Sequence, residues 1–105
     1  MIITKEGLNL GKAIDYQDSS VVSKEIIKGK TGNVTLFAFD KAQGLSEHTA
    51  PFDALVYIAE GRADITISGK VYTAQAGDFI IMPANEPHSL KAGERFKMML
   101  VMIRS

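Results

Sequence analysis

The chain has 105 residues, room for one domain around one core. Twelve Lys and Arg balance twelve Asp and Glu, so it lacks the basic excess expected of a protein whose main partner is nucleic acid or an anionic membrane surface. At 46% apolar and 23% charged it reads as a folded globule, and with no cysteine it has no disulfide, thiolate zinc site or thiol nucleophile.

The opening MIITKEGLNLGK lacks an apolar core of signal-peptide length, and the longest apolar run, Met98 to Ile103, is six residues. No leader or membrane span is expected, and a cytoplasmic home is. Asn9 to Asp18 has room for a short turn of helix, and no long amphipathic helix is expected. Turn signals then recur about every 8–12 residues, the spacing of an all-β sandwich or barrel. They fall at residues 28–33, 40–44, Glu60-Gly61, 68–70, 76–78, 83–87 and 91–93. The segments between are rich in β-branched and aromatic residues and read as strands: 34–39, 55–58, 63–67, 70–73 and 79–82. In the third, Ala63, Ile65 and Ile67 share one face and Asp64 and Thr66 the other, a half-exposed strand. Ser68-Gly69-Lys70 closes it into a tight hairpin.

The last strand, 96–103, is apolar at both parities from Met98 onward, so both of its faces call for cover. One lines the core. The other is expected under the N-terminal segment or a second chain, and a homodimer to which residues 1–43 contribute is expected. Lys28, Lys30, Lys41 and Lys91 read as solvated surface, and Asp78 as a turn residue bonding its own backbone. There is no phosphate loop and no serine nucleophile elbow.

Two segments carry a family likeness. Residues 44–61, GLSEHTAPFDALVYIAEG, and residues 77–88, GDFIIMPANEPH, occur in order around a 15-residue hairpin. Together they resemble the two motifs of the small single-domain cupins, and the strand pattern extends the likeness over residues 30–105. The resemblance implies a jelly-roll β-barrel (a double-stranded β-helix) in one domain, open at one end. It also implies a metal site of His-x-His and a Glu four residues later in the first motif, and one His in the second. His48 and His88 stand at two of these four positions, and Ala50 and Ala54 at the others. Asn85 replaces the usual Gly of the second motif, and Ala92 the usual Asn.

Two imidazoles are an incomplete set for a divalent transition metal, so no cofactor is expected. Asp53, next to the Glu position, points to the opposite face on a regular strand. His48 and His88 are instead expected to face one shared cavity, enlarged and made apolar by Ala50 and Ala54. Phe52 stands near its mouth, Met82 and either Met98 or Met99 along it, and Val56 and Ile58 share the parity of Ala54. The leading expectation is a non-catalytic pocket for a small organic molecule, in a sensor or carrier like the ligand-sensing cupin domains of bacterial transcription regulators. An enzyme is the alternative, with an incomplete metal set or with His48 or His88 as acid or base on a sugar or oxo-acid. A third reading fills the cavity with side chains and leaves an interaction module.

Overall fold

The computed structural model describes residues 9–104. The elements are α1 (Leu10–Ala13), β1 (Val21–Lys28), β2 (Gly32–Phe39), β3 (Gly44–His48), β4 (Asp53–Ile67), β5 (Lys70–Gln75), β6 (Phe79–Met82), β7 (His88–Lys91) and β8 (Phe96–Ile103). Every strand pairing is antiparallel. The all-β jelly-roll class expected from the sequence is what forms. The short helix falls where residues 9–18 allowed one, and residues 1–8 of the expected N-terminal dimer region lie outside the described residues.

One strand organises the rest. The first half of β4 pairs with β6 and β8, and its second half with β5 and β7. The sheet β1-β2-β8-β4-β6 thus passes into the sheet β5-β4-β7-β3 through a single chain segment. Glu60-Gly61 is therefore a correction: the sequence reads it as a turn, yet the strand runs straight through. The register shifts between Ile58 and Glu60 against β8, a bulge, and Gly61 there has a φ of +77°. An added Cβ at Gly61 would collide with the Arg95 carbonyl oxygen, so this close approach requires glycine. At the hairpin after β4, Ser68 and Gly69 both adopt positive φ, as a two-residue primed turn demands.

The core lies between the sheets. Phe39, Val56, Ile58, Ala63, Ile65, Phe96 and Met98 have no exposed surface. Phe39 and Phe96 stack with ring centroids 4.3 Å apart. The alternation read in 63–67 holds, with Ala63 and Ile65 fully buried while Asp64 and Thr66 are partly exposed.

The second face of β8 is covered in part by the N-terminal segment. Met99 joins a second apolar cluster built on Ile14, Leu36 and Ala38, which also takes in Leu10, Ala13 and Tyr16. Lys97 is buried there, which sequence reading missed. Its Nζ donates to the Gly11 carbonyl at 2.6 Å, lies 3.8 Å from Glu60 and sits over the Tyr16 ring. The Tyr16 hydroxyl donates to Glu60, and burial together with that carboxylate raises its pKa. Nearby, the Arg95 guanidinium bonds Asp40 and, with the Ser19 and Lys41 amides, brings its carboxyl down to about 2. Further along the same face, Val101 and Ile103 stay partly or fully exposed, as do Ile81 and Phe79 on β6. Among the described residues no helix is long and apolar enough to cross a membrane.

Candidate functional site

Side chains of β3, β4, β6, β7 and β8 enclose a cavity of about 150 Å³ between the sheets. All six residues expected to line a pocket do so: His48, Ala50, Phe52, Ala54, Met82 and His88. Met98 lines it and Met99 does not, because alternation turns Met99 outward. Val56 and Ile58 face inward but are packed in the core rather than against the cavity. Leu45, Leu90, Leu100 and Met102 also line it and went unnamed in the sequence reading. The parity of β8 held the signal for two of them: counted from Met98, Leu100 and Met102 share its face. The solid interior of the third reading is not what forms.

The histidines come from β3 and β7, neighbouring strands that pair His48 with His88 in register. Their rings meet edge to face with centroids 4.3 Å apart, and the two Nε2 atoms are 3.0 Å apart. Each Nδ1 faces a backbone carbonyl, that of Ser46 at 2.7 Å for His48 and that of Glu86 at 3.2 Å for His88. A carbonyl only accepts, so the short Ser46 contact puts a hydrogen on Nδ1 of His48, and a hydrogen between the two Nε2 atoms makes their 3.0 Å contact a hydrogen bond. His88 is buried, and burial lowers its pKa below the ordinary value; the Glu86 carbonyl opposes this, and charge on His48 adds to it.

This shift has a sign. The folded protein takes up the His88 proton less readily than the unfolded chain does. Stability contributed by neutral His88 is complete above the unfolded value of about 6.5 and is lost as pH falls below it, down to the folded value. The melting temperature is therefore expected to drop between about pH 7 and pH 5, and less so in His88→Phe. Equal slopes for the two proteins in a pH series of thermal melts would remove His88 as the cause.

The donor set does not fit a divalent ion held by nitrogen and oxygen. Ala50 and Ala54 put methyl groups where two ligands would stand. Glu47 and Asp53 are exposed, and Asp53 accepts the Ala84 amide outside the barrel, on the face that strand alternation predicts. No three His, Cys, Asp or Glu side chains converge among the described residues. The other departures are local. Asn85 adopts a φ of +65°, a left-handed conformation that asparagine tolerates where glycine is usual, and Ala92 is buried. Asp78 accepts the Gln75 amide at 2.9 Å as a turn residue. Phe52 is half-buried under the Arg104 guanidinium, at the cavity wall.

Comparison with known proteins agrees with this architecture. The family model described as a cupin domain matches residues 35–104. The conserved SPY1581 protein of unknown function from Streptococcus pyogenes is 34% identical, with a TM-score of 0.94 over 99% of this chain and 91% of that one. A cupin superfamily protein from Desulfitobacterium hafniense is 24% identical, with a TM-score of 0.93 over 99% of this chain and 95% of that one. A cupin 2 conserved barrel domain protein from Leptotrichia buccalis is 33% identical, with a TM-score of 0.89 over 92% of this chain and 47% of that one. No curated protein matches.

Proposed function

The chain belongs to the cupin family, and we propose that its barrel binds a small, largely apolar organic molecule without transforming it, in a sensor or carrier role. The cavity carries this reading. It joins nine apolar side chains to two imidazoles whose Nε2 atoms meet 3.0 Å apart and can exchange that contact for a hydrogen bond to a ligand. A cavity of about 150 Å³ walled by aliphatic side chains is large enough for benzene. A monocyclic molecule with one hydroxyl or N–H donor suits this one: the ring meets Leu45, Phe52, Leu90 and Leu100, and the donor meets the histidines. Catalysis has less support. An acid–base histidine is usually oriented and tuned by a carboxylate, whereas both Nδ1 atoms here face backbone carbonyls and no carboxylate lines the cavity.

The test is a titration of metal-free protein with phenol, followed by the methyl NMR resonances of Met82, Met98 and Met102. The expected result is saturable shifts of these methyls. Binding is expected to weaken roughly tenfold to a hundredfold in His48→Ala/His88→Ala, the loss of a hydrogen bond in an apolar site. No shift, or unchanged affinity in the double variant, overturns the reading. The same reading takes the protein as a homodimer through the outer face of β6, β4 and β8, where Leu55 lies between Ile81 and Val101, and Tyr57 between Phe79 and Met99. Sedimentation equilibrium of the same samples checks it, and a lone species at the 11.4 kDa chain mass would defeat it.

A further inference from the structure

On the organic-ligand reading, which this step rests on, we infer that the molecule held by the barrel carries one carboxylate, and that Arg104 meets it at the cavity rim while the apolar body lies inside. Two positions just past strand ends define that rim. On β8, Met98, Leu100 and Met102 alternate onto the cavity face, and Arg104 is the next position of the series. On β4, Ala54 lines the cavity, and Phe52 is the position two before it, ahead of the first strand residue.

Register brings the two together. Met102 pairs with Ala54 and Ile103 with Asp53, so the next step sets Arg104 opposite Phe52. The Arg104 amide donates to the Thr31 carbonyl at 2.7 Å, one step beyond the Gly32–Ile103 pair. The ladder to β2 therefore continues through Arg104, and its side chain keeps to the cavity face. The contact found agrees. The guanidinium lies over the Phe52 ring, 5.3 Å from its centroid, and the same ring walls the cavity.

This cation has no anion of its own. Among the described residues Arg104 forms no ion pair, and Asp53, next in the chain to Phe52, gives its carboxylate to the Ala84 amide on the outer face. A solvated ring face is a weak partner for a guanidinium, and a carboxylate that takes two parallel N–H bonds is a strong one. A second polar group shares the cavity face. Asn33 pairs with Met102 on β2, and its Oδ1 is buried with no partner among the described residues. Five N–H donors are enough to hold a carboxylate with two and leave one for that oxygen. Size adds to the case. A cavity of about 150 Å³ takes a body no larger than a benzene ring, so a carboxylate on that body stands at the rim.

The test compares benzoate with benzamide, which has nearly the same shape and no charge, on the full chain. It runs at pH 8, above the ordinary imidazole range, and reads the Met82, Met98 and Met102 methyl resonances. Benzoate is expected to bind about tenfold more tightly than benzamide, the worth of one partly solvated charge-assisted pair. That ratio is expected to fall to about one in Arg104→Gln, to be kept in part in Arg104→Lys, and to shrink as salt rises from about 0.02 to 0.2 M. Arg104 is exposed and follows the last strand, so both variants keep the fold, which thermal melting checks. A ratio near one in the parent overturns the inference. A preference that survives Arg104→Gln and is lost in His48→Ala/His88→Ala overturns it too, because the imidazoles would then hold the carboxylate. In either case phenol binding leaves the organic-ligand reading standing, whereas failure of phenol and of both probes removes that reading along with the inference.

Discussion

Ala50→His together with Ala54→Glu is expected to turn the cavity into a divalent-metal site, binding zinc or manganese roughly a hundredfold or more tightly than the parent. Both positions line the cavity that holds the two imidazoles, and the added histidine and carboxylate complete a four-ligand nitrogen and oxygen set. The same change has a cost without metal. A carboxylate among Met82, Met102 and Leu100 is poorly solvated, so the metal-free variant is expected to lose about 2–4 kcal/mol of stability. Metal should restore it, giving a melting temperature that rises steeply with added zinc and collapses with chelator. Calorimetric titration of parent and variant decides the matter. Equal zinc affinity in the two would mean that Ala50 and Ala54 do not stand where ligands are needed.

Gly61→Ala is expected to cost about 3–4 kcal/mol, a large share of the 5–15 kcal/mol that holds an ordinary domain together. The added methyl meets the Arg95 carbonyl across the β4–β8 ladder, and backbone cannot step aside as a side-chain tip can. Positive φ adds strain of its own. Gly77→Ala is the control: its φ is +93°, but nothing stands within 4 Å of the added Cβ. It should lose only about 1 kcal/mol, the conformational part alone. Urea unfolding of both variants separates the terms, and similar midpoints would show that the close approach relaxes.

Gly61 also shows where the sequence stops being legible. A glycine after Glu60 carries the same composition signal whether the chain reverses there or bulges. Only the pairing of β8 against both sides of it tells the two apart. The strands found from sequence alone were those with apolar or β-branched runs. Three strands went unlisted because their residues lack that pattern: β1 carries Ser-Lys-Glu in its middle, β3 is nearly all exposed, and β7 has four residues. The histidine pair and the alanines were legible because the resemblance assigns them to motif positions, Ala50 among them although it lies between β3 and β4. The methionines flanking Ala54 were not. Met82 and Met102 are 20 residues apart in the chain, and only the register of β6 and β8 against β4 makes them neighbours. Lys97 was hidden for a similar reason: its burial depends on Gly11 and Tyr16, distant in sequence.

The central place of β4 has a consequence for how the protein is made. Its first half and the whole of β2 wait for β8, their shared partner, and β8 begins more than 50 residues after β2 ends. At about 5–20 residues per second, a ribosome leaves those edges open for several seconds. During that interval the hairpins β1 with β2 and β4 with β5 have both members available first, and β6 and β7 can then join β4 and β3. The nascent chain therefore holds the β1–β2 hairpin apart from the strands gathered on β4, and closes into a barrel only after Ile103 has emerged.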